Sequence, residues 1–471
     1  MIKDIYNTFF DSLEKIKIES FKKFSHTVNS VKPFIVSYFY NKNKRVMFIV
    51  DTNETARYMK SVIEDIGFPC FTLLWFDILP YENEKPSISV IKERANFLKS
   101  FFDNREGIYI VPVNSLVFPI SPEFKKLVFK IRRDDNISRD SIIETLFNMG
   151  YERGNLEYPG QFDVKGDVVS IYTLDKVVKI LLFEDSVERI KTVNEKGAYE
   201  DVDSIEVLPL TEFFIDENKI QFVKKRINTY DFEPYESYFK SNRFDINLIP
   251  FFYDKSVIEY FNGIIFFDES EKILSSYRMF LKEVKEMYYA SFNINKIKAP
   301  VNFYVLNFDE IVSKLDSSYV FSEFYFEDSI PMIKYFDRVS SYNARVDLLK
   351  MDLEKYKDYK FIISCSDNYK LKAIFPDAVF VEADIEEGFI DKVNKCFFIT
   401  EAQIFGKKFL TKTKPLFFSS SPIESFSEIT SGEYVVHINY GIGVYRGIET
   451  LNVLGNKKDY IKLEYDEEEI V

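Results

Sequence analysis

Apolar residues recur at helical spacing near the N-terminus, at Ile5, Phe9, Leu13 and Ile16 with Lys and Glu between them, and predict an amphipathic helix within residues 1–24. A second helix is expected over about 30–40. The run Val46-Met-Phe-Ile-Val50 is apolar throughout and predicts a strand. Asp51-Thr-Asn-Glu54 then offers capping side chains to a helix that continues to Ile66. A strand near 71–74, a helix near 88–102 and a strand at 108–111 repeat the alternation. That rhythm predicts an open parallel sheet with helices on both faces.

The rhythm changes near residue 127. One helix at 140–149 is followed by short alternating runs at 158–163, 167–172, 177–183, 187–192 and 203–208, as in an α+β module dominated by antiparallel strands. The α/β pattern then resumes, with an apolar run Gly263-Ile-Ile-Phe-Phe267 and a helix near 271–287. A smaller α/β stretch at about 340–415 holds short buried strands at 361–364, 378–381 and 396–399. Residues 415–427, rich in Ser and Pro, read as a linker. Two alternating runs, 433–451 and 459–465, flank Gly441-Ile-Gly443 and predict a small, strongly bent antiparallel sheet. The expected divisions are therefore 1–126 and 210–325 for one split α/β domain, 127–209 for its insert, 326–425 for a small α/β domain, and 426–471 for the terminal sheet.

At 471 residues the chain is too long for one core, and roughly three or four domains are expected. Apolar residues make up 46% and charged residues 29%, ordinary values for a globular soluble protein. The net charge of −13 argues against an electrostatic DNA clamp and leaves room for protein partners with basic patches. The densest basic run, from Lys125 to Arg133, is interrupted by apolar residues and reads as an amphipathic strand with a solvated face. Cys70, Cys365 and Cys396 show neither zinc nor disulfide spacing. No run is long enough for a membrane span and no signal peptide is recognisable, so a cytoplasmic protein is expected.

A nucleotide site needs backbone N–H groups around the phosphates, a lysine on their outer oxygens and a hydroxyl on magnesium. No GxxxxGK[ST] occurs. The corresponding stretch reads His26-Thr-Val-Asn-Ser-Val-Lys32-Pro33, with a lysine in place, no glycine, and proline at the hydroxyl position. Asp268-Glu269, after the apolar run, has the form of the acidic pair that would hold magnesium and water. These three residues, Lys32, Asp268 and Glu269, are expected to be relics of a nucleotide site, with no catalytic role and no bound metal or cofactor. Neither His26 nor His437, the two histidines, lies in a hydrolase or metalloprotease motif. The chain is expected not to be an enzyme.

Three further blocks carry a resemblance. Leu79-Pro-Tyr81-Glu82, Gly160-Gln-Phe162-Asp-Val-Lys165-Gly166-Asp167-Val-Val-Ser-Ile171 and Glu433-Tyr-Val-Val-His437 through Tyr465 together resemble the transcription-repair coupling factor (Mfd) family, in its UvrB-like module and the start of its CarD-like polymerase-interacting domain. The resemblance implies a degenerate RecA/UvrB-like α/β domain, the insert as a UvrA-binding surface, and the terminal sheet as the beginning of an SH3/Tudor-like barrel that docks on the β subunit of RNA polymerase. By resemblance the UvrA-binding candidates are Lys165, Lys179 and Phe183, with lysine at positions where the family uses arginine; lysine keeps the charge and loses the bidentate fork. The polymerase-binding candidates are Glu449, Thr450 and Leu451 on an edge strand, with Leu451 as the apolar anchor. The resemblance also implies a longer parent, an ATP-dependent DNA translocase whose motor, with its ATP, magnesium and DNA contacts, lies beyond Val471. Two other readings stay open: a UvrB-like helicase of excision repair, and a standalone CarD-type transcription regulator.

Overall fold

The computed structural model describes residues 2–82, 85–193, 198–215, 217–227, 237, 239, 245–290, 299–313, 318–365, 369–383, 385–406, 432, 434–437, 441–453 and 456–464. The alternating strands and helices of the first region form a parallel sheet. Its seven strands run in the order Ile330–Pro331, Lys23–Ser25, Tyr319–Ser322, Ile264–Phe267, Arg45–Val50, Gly107–Pro112 and Cys70–Thr72. Arg45–Val50 lies near the middle, paired in parallel with Ile264–Phe267 on one side and Gly107–Pro112 on the other. Val46 through Val50 are all buried, which is why no polar residue interrupts that run. The helix Asn53–Ile66 starts where the capping residues predicted it, with the Thr52 side chain accepting from the Thr55 N–H, and it stops at Gly67, whose φ of 95° suits a left-handed cap.

The N-terminal helix, Ile2–Ile16, fills only the first part of the 1–24 stretch expected to hold it and ends at Lys17, whose φ is 55°. Tyr6, Phe9 and Leu13 are buried. Phe9 packs against Phe34 of the helix Lys32–Asn43 and against Phe389 of a second sheet, at ring-centroid distances of 5.2 and 4.7 Å. That sheet runs Phe336–Arg338, Phe389–Asp391, Cys396–Thr400, Lys360–Ser364 and Val379–Val381. Ile362, Phe389 and Phe398 on one face join the main core, while Ile363, Phe397 and Ile399 on the other face build a smaller one. At the contact Ser12 donates to Asp391 at 2.5 Å and Asn394 donates to the Thr8 carbonyl at 2.6 Å.

The insert has its own core of Ile142, Leu146, Phe162, Val169, Ile180 and Ile190, among others. It enters and leaves through one antiparallel pair, Phe129–Arg132 with Ser204–Val207, in which Phe129 faces Val207. Between them the helix Arg139–Asn148 covers one face of a six-stranded sheet ordered Tyr199–Val202, Ser186–Val193, Val177–Phe183, Val168–Tyr172, Gln161–Lys165 and Glu152–Arg153.

Residues 412–471 form a separate compact unit. Its described strands, Tyr434–His437, Gly441–Val453 and Asn456–Glu464, make a three-stranded antiparallel sheet. The middle strand bulges between Tyr445 and Gly447, and Gly447 has a φ of 109°. A bent antiparallel sheet was expected here and is present; the finer expectation of an SH3/Tudor-like barrel reaches beyond the three described strands.

Candidate functional site

The loop where a phosphate cradle would stand connects the strand Lys23–Ser25 to the helix Lys32–Asn43. It is a 3-10 turn, Asn29–Val31, with Lys32 and Pro33 opening the helix. The Lys32 side chain is fully buried and turned toward the end of the strand Ile264–Phe267. Its Nζ donates to Asp268 Oδ1 at 2.6 Å and to Glu269 Oε1 at 2.7 Å. Glu269 also accepts the backbone N–H of Glu323 at 2.6 Å, so the trio ties three strand ends together. Burial alone would push the lysine ammonium down, but attraction from Asp268 and Glu269 prevails and holds it above its usual value. Burial pushes the Asp268 carboxyl up against the opposing pull of Lys32. The sequence named these three residues separately, and the fold brings all of them into contact.

In front of the trio lies a crevice of about 250 Å³ lined by Asp51, Glu54, Asp268, Glu386 and Glu387, with Lys272 as the cation in its lining. An adjoining space of about 210 Å³ is lined by Thr27, Asn29, Glu269, Lys272, Glu323, Arg338 and Glu387. Parallel α/β sheets bind ligands at this end of their strands. Carboxylates dominate this lining, and a triphosphate would meet like charge. No sequence pattern signals this assembly, because Asp51 and Glu387 are distant in the chain and Asp51 reads there only as part of a helix cap. Among the described residues no cluster of His, Cys, Asp and Glu is arranged to hold a metal ion.

Lys165, Lys179 and Phe183 fall on one face of the insert's sheet. Lys165 faces Val168 across the hairpin and Val168 faces Leu181, which lies two residues from both Lys179 and Phe183. Side chains two apart on a strand share a face, so all three point away from the buried row of Val178, Ile180 and Leu182. The Lys165 side chain is 86% exposed and pairs with Asp163 at 2.9 Å, which holds that carboxyl below its usual value. Lys179 Nζ sits 4.4 Å from the ring centroid of Tyr199. Phe183 is 68% exposed. Gly166 has a φ of 58° in the two-residue turn between paired Lys165 and Val168, a conformation glycine adopts without penalty. The face thus carries two lysines and an exposed aromatic ring, and Lys165 stands at the end of its strand beside the turn at Gly166.

Glu449, Thr450 and Leu451 lie on the strand Gly441–Val453, where they pair with Tyr460, Asp459 and Lys458. Their other backbone edge pairs with no strand among the described residues, since Tyr434–His437 reaches only as far as Val444. The side chains of these three, and that of His437, lie outside the described residues.

Residues 129–213 match the family described as the UvrB interaction domain, and residues 429–471 match the CarD-like/TRCF RID domain. The class is thereby set: a UvrB-type interaction module spliced into a parallel α/β domain, followed in the same chain by a CarD-like module. Relatives over most of the chain are transcription-repair-coupling factors. The one from Borreliella burgdorferi is 28% identical over 462 residues, covering 91% of this chain and 40% of that protein. Those from Staphylococcus haemolyticus and Staphylococcus aureus are each 25% identical, over 93% and 83% of this chain. The chain spans about 40% of the length of these curated relatives. The resemblance to transcription-repair coupling factors seen in the motifs is borne out.

Proposed function

We propose that this chain is the partner-docking portion of a transcription-repair coupling factor. In this reading the uncovered face of the insert's sheet recruits UvrA through Lys165, Lys179 and Phe183. The edge strand at Glu449, Thr450 and Leu451 pairs with the β subunit of RNA polymerase. ATP, magnesium and DNA translocation belong to sequence outside these 471 residues, where a motor would displace stalled polymerase and pass the lesion to excision repair. The observation that carries the reading is the joint presence of a UvrB interaction domain and a CarD-like/TRCF RID domain in one chain. The lysine that would grip phosphate is already held by Asp268 and Glu269, which weighs against a UvrB-like helicase. The UvrB interaction domain weighs against a standalone CarD-type regulator.

The test is capture of purified UvrA and of purified RNA polymerase by the immobilised chain. Reversing both lysines, Lys165→Glu with Lys179→Glu, together with Phe183→Ala, is expected to weaken UvrA capture about tenfold or more, because central aromatic and basic side chains dominate interfaces of ordinary size. Leu451→Arg is expected to abolish polymerase capture and leave UvrA capture and the circular dichroism spectrum unchanged. Equal capture by parent and variants would refute the assigned surfaces. Saturable, magnesium-dependent ATP turnover by the chain would favour the helicase instead.

A further inference from the structure

The crevice at the carboxyl ends of the parallel strands has a lining opposite in character to a phosphate site. Its two lobes, about 250 and 210 Å³, share Asn29, Lys272 and Glu387. The nearby cations are largely engaged: Lys32 with Asp268 and Glu269, Arg338 with Glu323 at 3.3 Å, and Lys272 with Glu323 at 3.9 Å. Asp51, Glu386 and Glu387 line the same space, and among the described residues no ion pair neutralises them.

Two buried oxygens point to the kind of ligand. Thr27 lines the smaller lobe and is only 2% exposed, yet its Oγ1 meets no hydrogen-bond partner among the described residues. In the larger lobe Asp51 Oδ1 is likewise buried and without a partner. A carboxylate oxygen can only accept and a hydroxyl oxygen can also accept, so one ligand that donates N–H bonds can satisfy both. Phosphate offers acceptors and negative charge, the reverse of what is needed. A single metal ion fits poorly too, because the carboxylates are dispersed over both lobes and form no ligand cluster. Ammonium groups joined by methylene stretches match the dispersion, with Tyr58 and Met59 in the larger lobe to receive the methylenes.

We propose that this crevice binds a short aliphatic polyamine. Its ammonium groups lie between Asp51 in the larger lobe and Thr27 in the smaller, with Glu386 and Glu387 closing over them from the small α/β region. Calorimetric titration of the 471-residue chain with spermidine, at physiological salt and constant ionic strength, tests this. One saturable site is expected. Glu386→Gln with Glu387→Gln, both exposed, is expected to weaken it about tenfold or more. Asp347→Asn with Glu354→Gln removes the same charge from the exposed side of the helix Val346–Lys355 and is expected to leave it unchanged. Thr27→Val is expected to lower affinity with little change in melting temperature. Absence of saturable heat, equal weakening by both charge-removing pairs, or displacement by magnesium chloride at matched ionic strength overturns the proposal. Tighter binding of a tetralysine peptide than of spermidine also overturns it, in favour of a protein partner.

Discussion

Lys32, Asp268 and Glu269 form a buried group in which each member depends on the others. Removing the cation alone leaves two carboxylates facing one another without a counter-charge, and Lys32→Ala is expected to destabilise the protein by about 3–5 kcal/mol in urea unfolding. Replacing the whole set with Lys32→Met, Asp268→Leu and Glu269→Gln should recover most of that loss, since an apolar substitute of similar volume need not be desolvated, and Gln keeps an acceptor for the Glu323 N–H. If the triple variant is no more stable than Lys32→Ala, the trio is not the coupled unit described above. This much was legible beforehand as three suspect residues. Their contact was not, because residues 236 and 237 positions apart meet only through the sheet. Arg94 is a plainer case of the same blindness. It is almost wholly buried, bonded to Glu212 and to the Leu74 carbonyl, and lies 3.9 Å from the ring centroid of Phe76. In the sequence it is one more arginine on a helix.

Among the elements, those with a clear apolar or alternating run were readable, and three brief strands of the large sheet were not. The apolar run at 46–50 could be placed because five consecutive buried residues leave a clear trace. Lys23–Ser25, Tyr319–Ser322 and Ile330–Pro331 complete the same sheet with only three, four and two residues, too few to establish a period. In the insert the alternation survived, since one face of its sheet is covered and the other is not. The bulge at Gly447 offers a test at this level. A Cβ there would meet nothing within 4 Å, so the penalty of Gly447→Ala comes from its φ of 109° alone. We expect a loss of about 1–3 kcal/mol in hydrogen-exchange protection across Gly441–Val453 and Asn456–Glu464, with the parallel sheet unaffected. Unchanged protection would show that the bulge can be rebuilt without its glycine.

Within residues 1–411, the N-terminal helix links the large sheet to the small one, and Asp391 is the polar centre of that link. Burial outweighs the bonds from Ser12 and the backbone N–H groups of Asn394 and Val393, and holds the Asp391 carboxyl above its usual 3.8. Folding therefore favours the protonated form. The stability from this group is complete below about pH 4 and is lost as pH rises through the raised value. Asp391→Asn has no such proton to lose, so its melting temperature relative to the parent should climb as pH rises above about 4. A difference that stays flat with pH would contradict the assignment. No sequence pattern announced this contact, because Ser12 and Asp391 stand 379 positions apart.

The pairing of Phe129–Arg132 with Ser204–Val207 has a consequence for how such a molecule can be assembled and altered. The two chain crossings into the insert lie side by side, so more than seventy residues of independently cored structure hang from a doorway one hairpin wide. Excising that cassette and bridging Arg132 to Ser204 with a short glycine-containing turn would leave a two-stranded hairpin with only a small gap to close. On the docking role proposed for the insert, its specificity could thus be exchanged between scaffolds as a graft, without rewriting the framework that carries it.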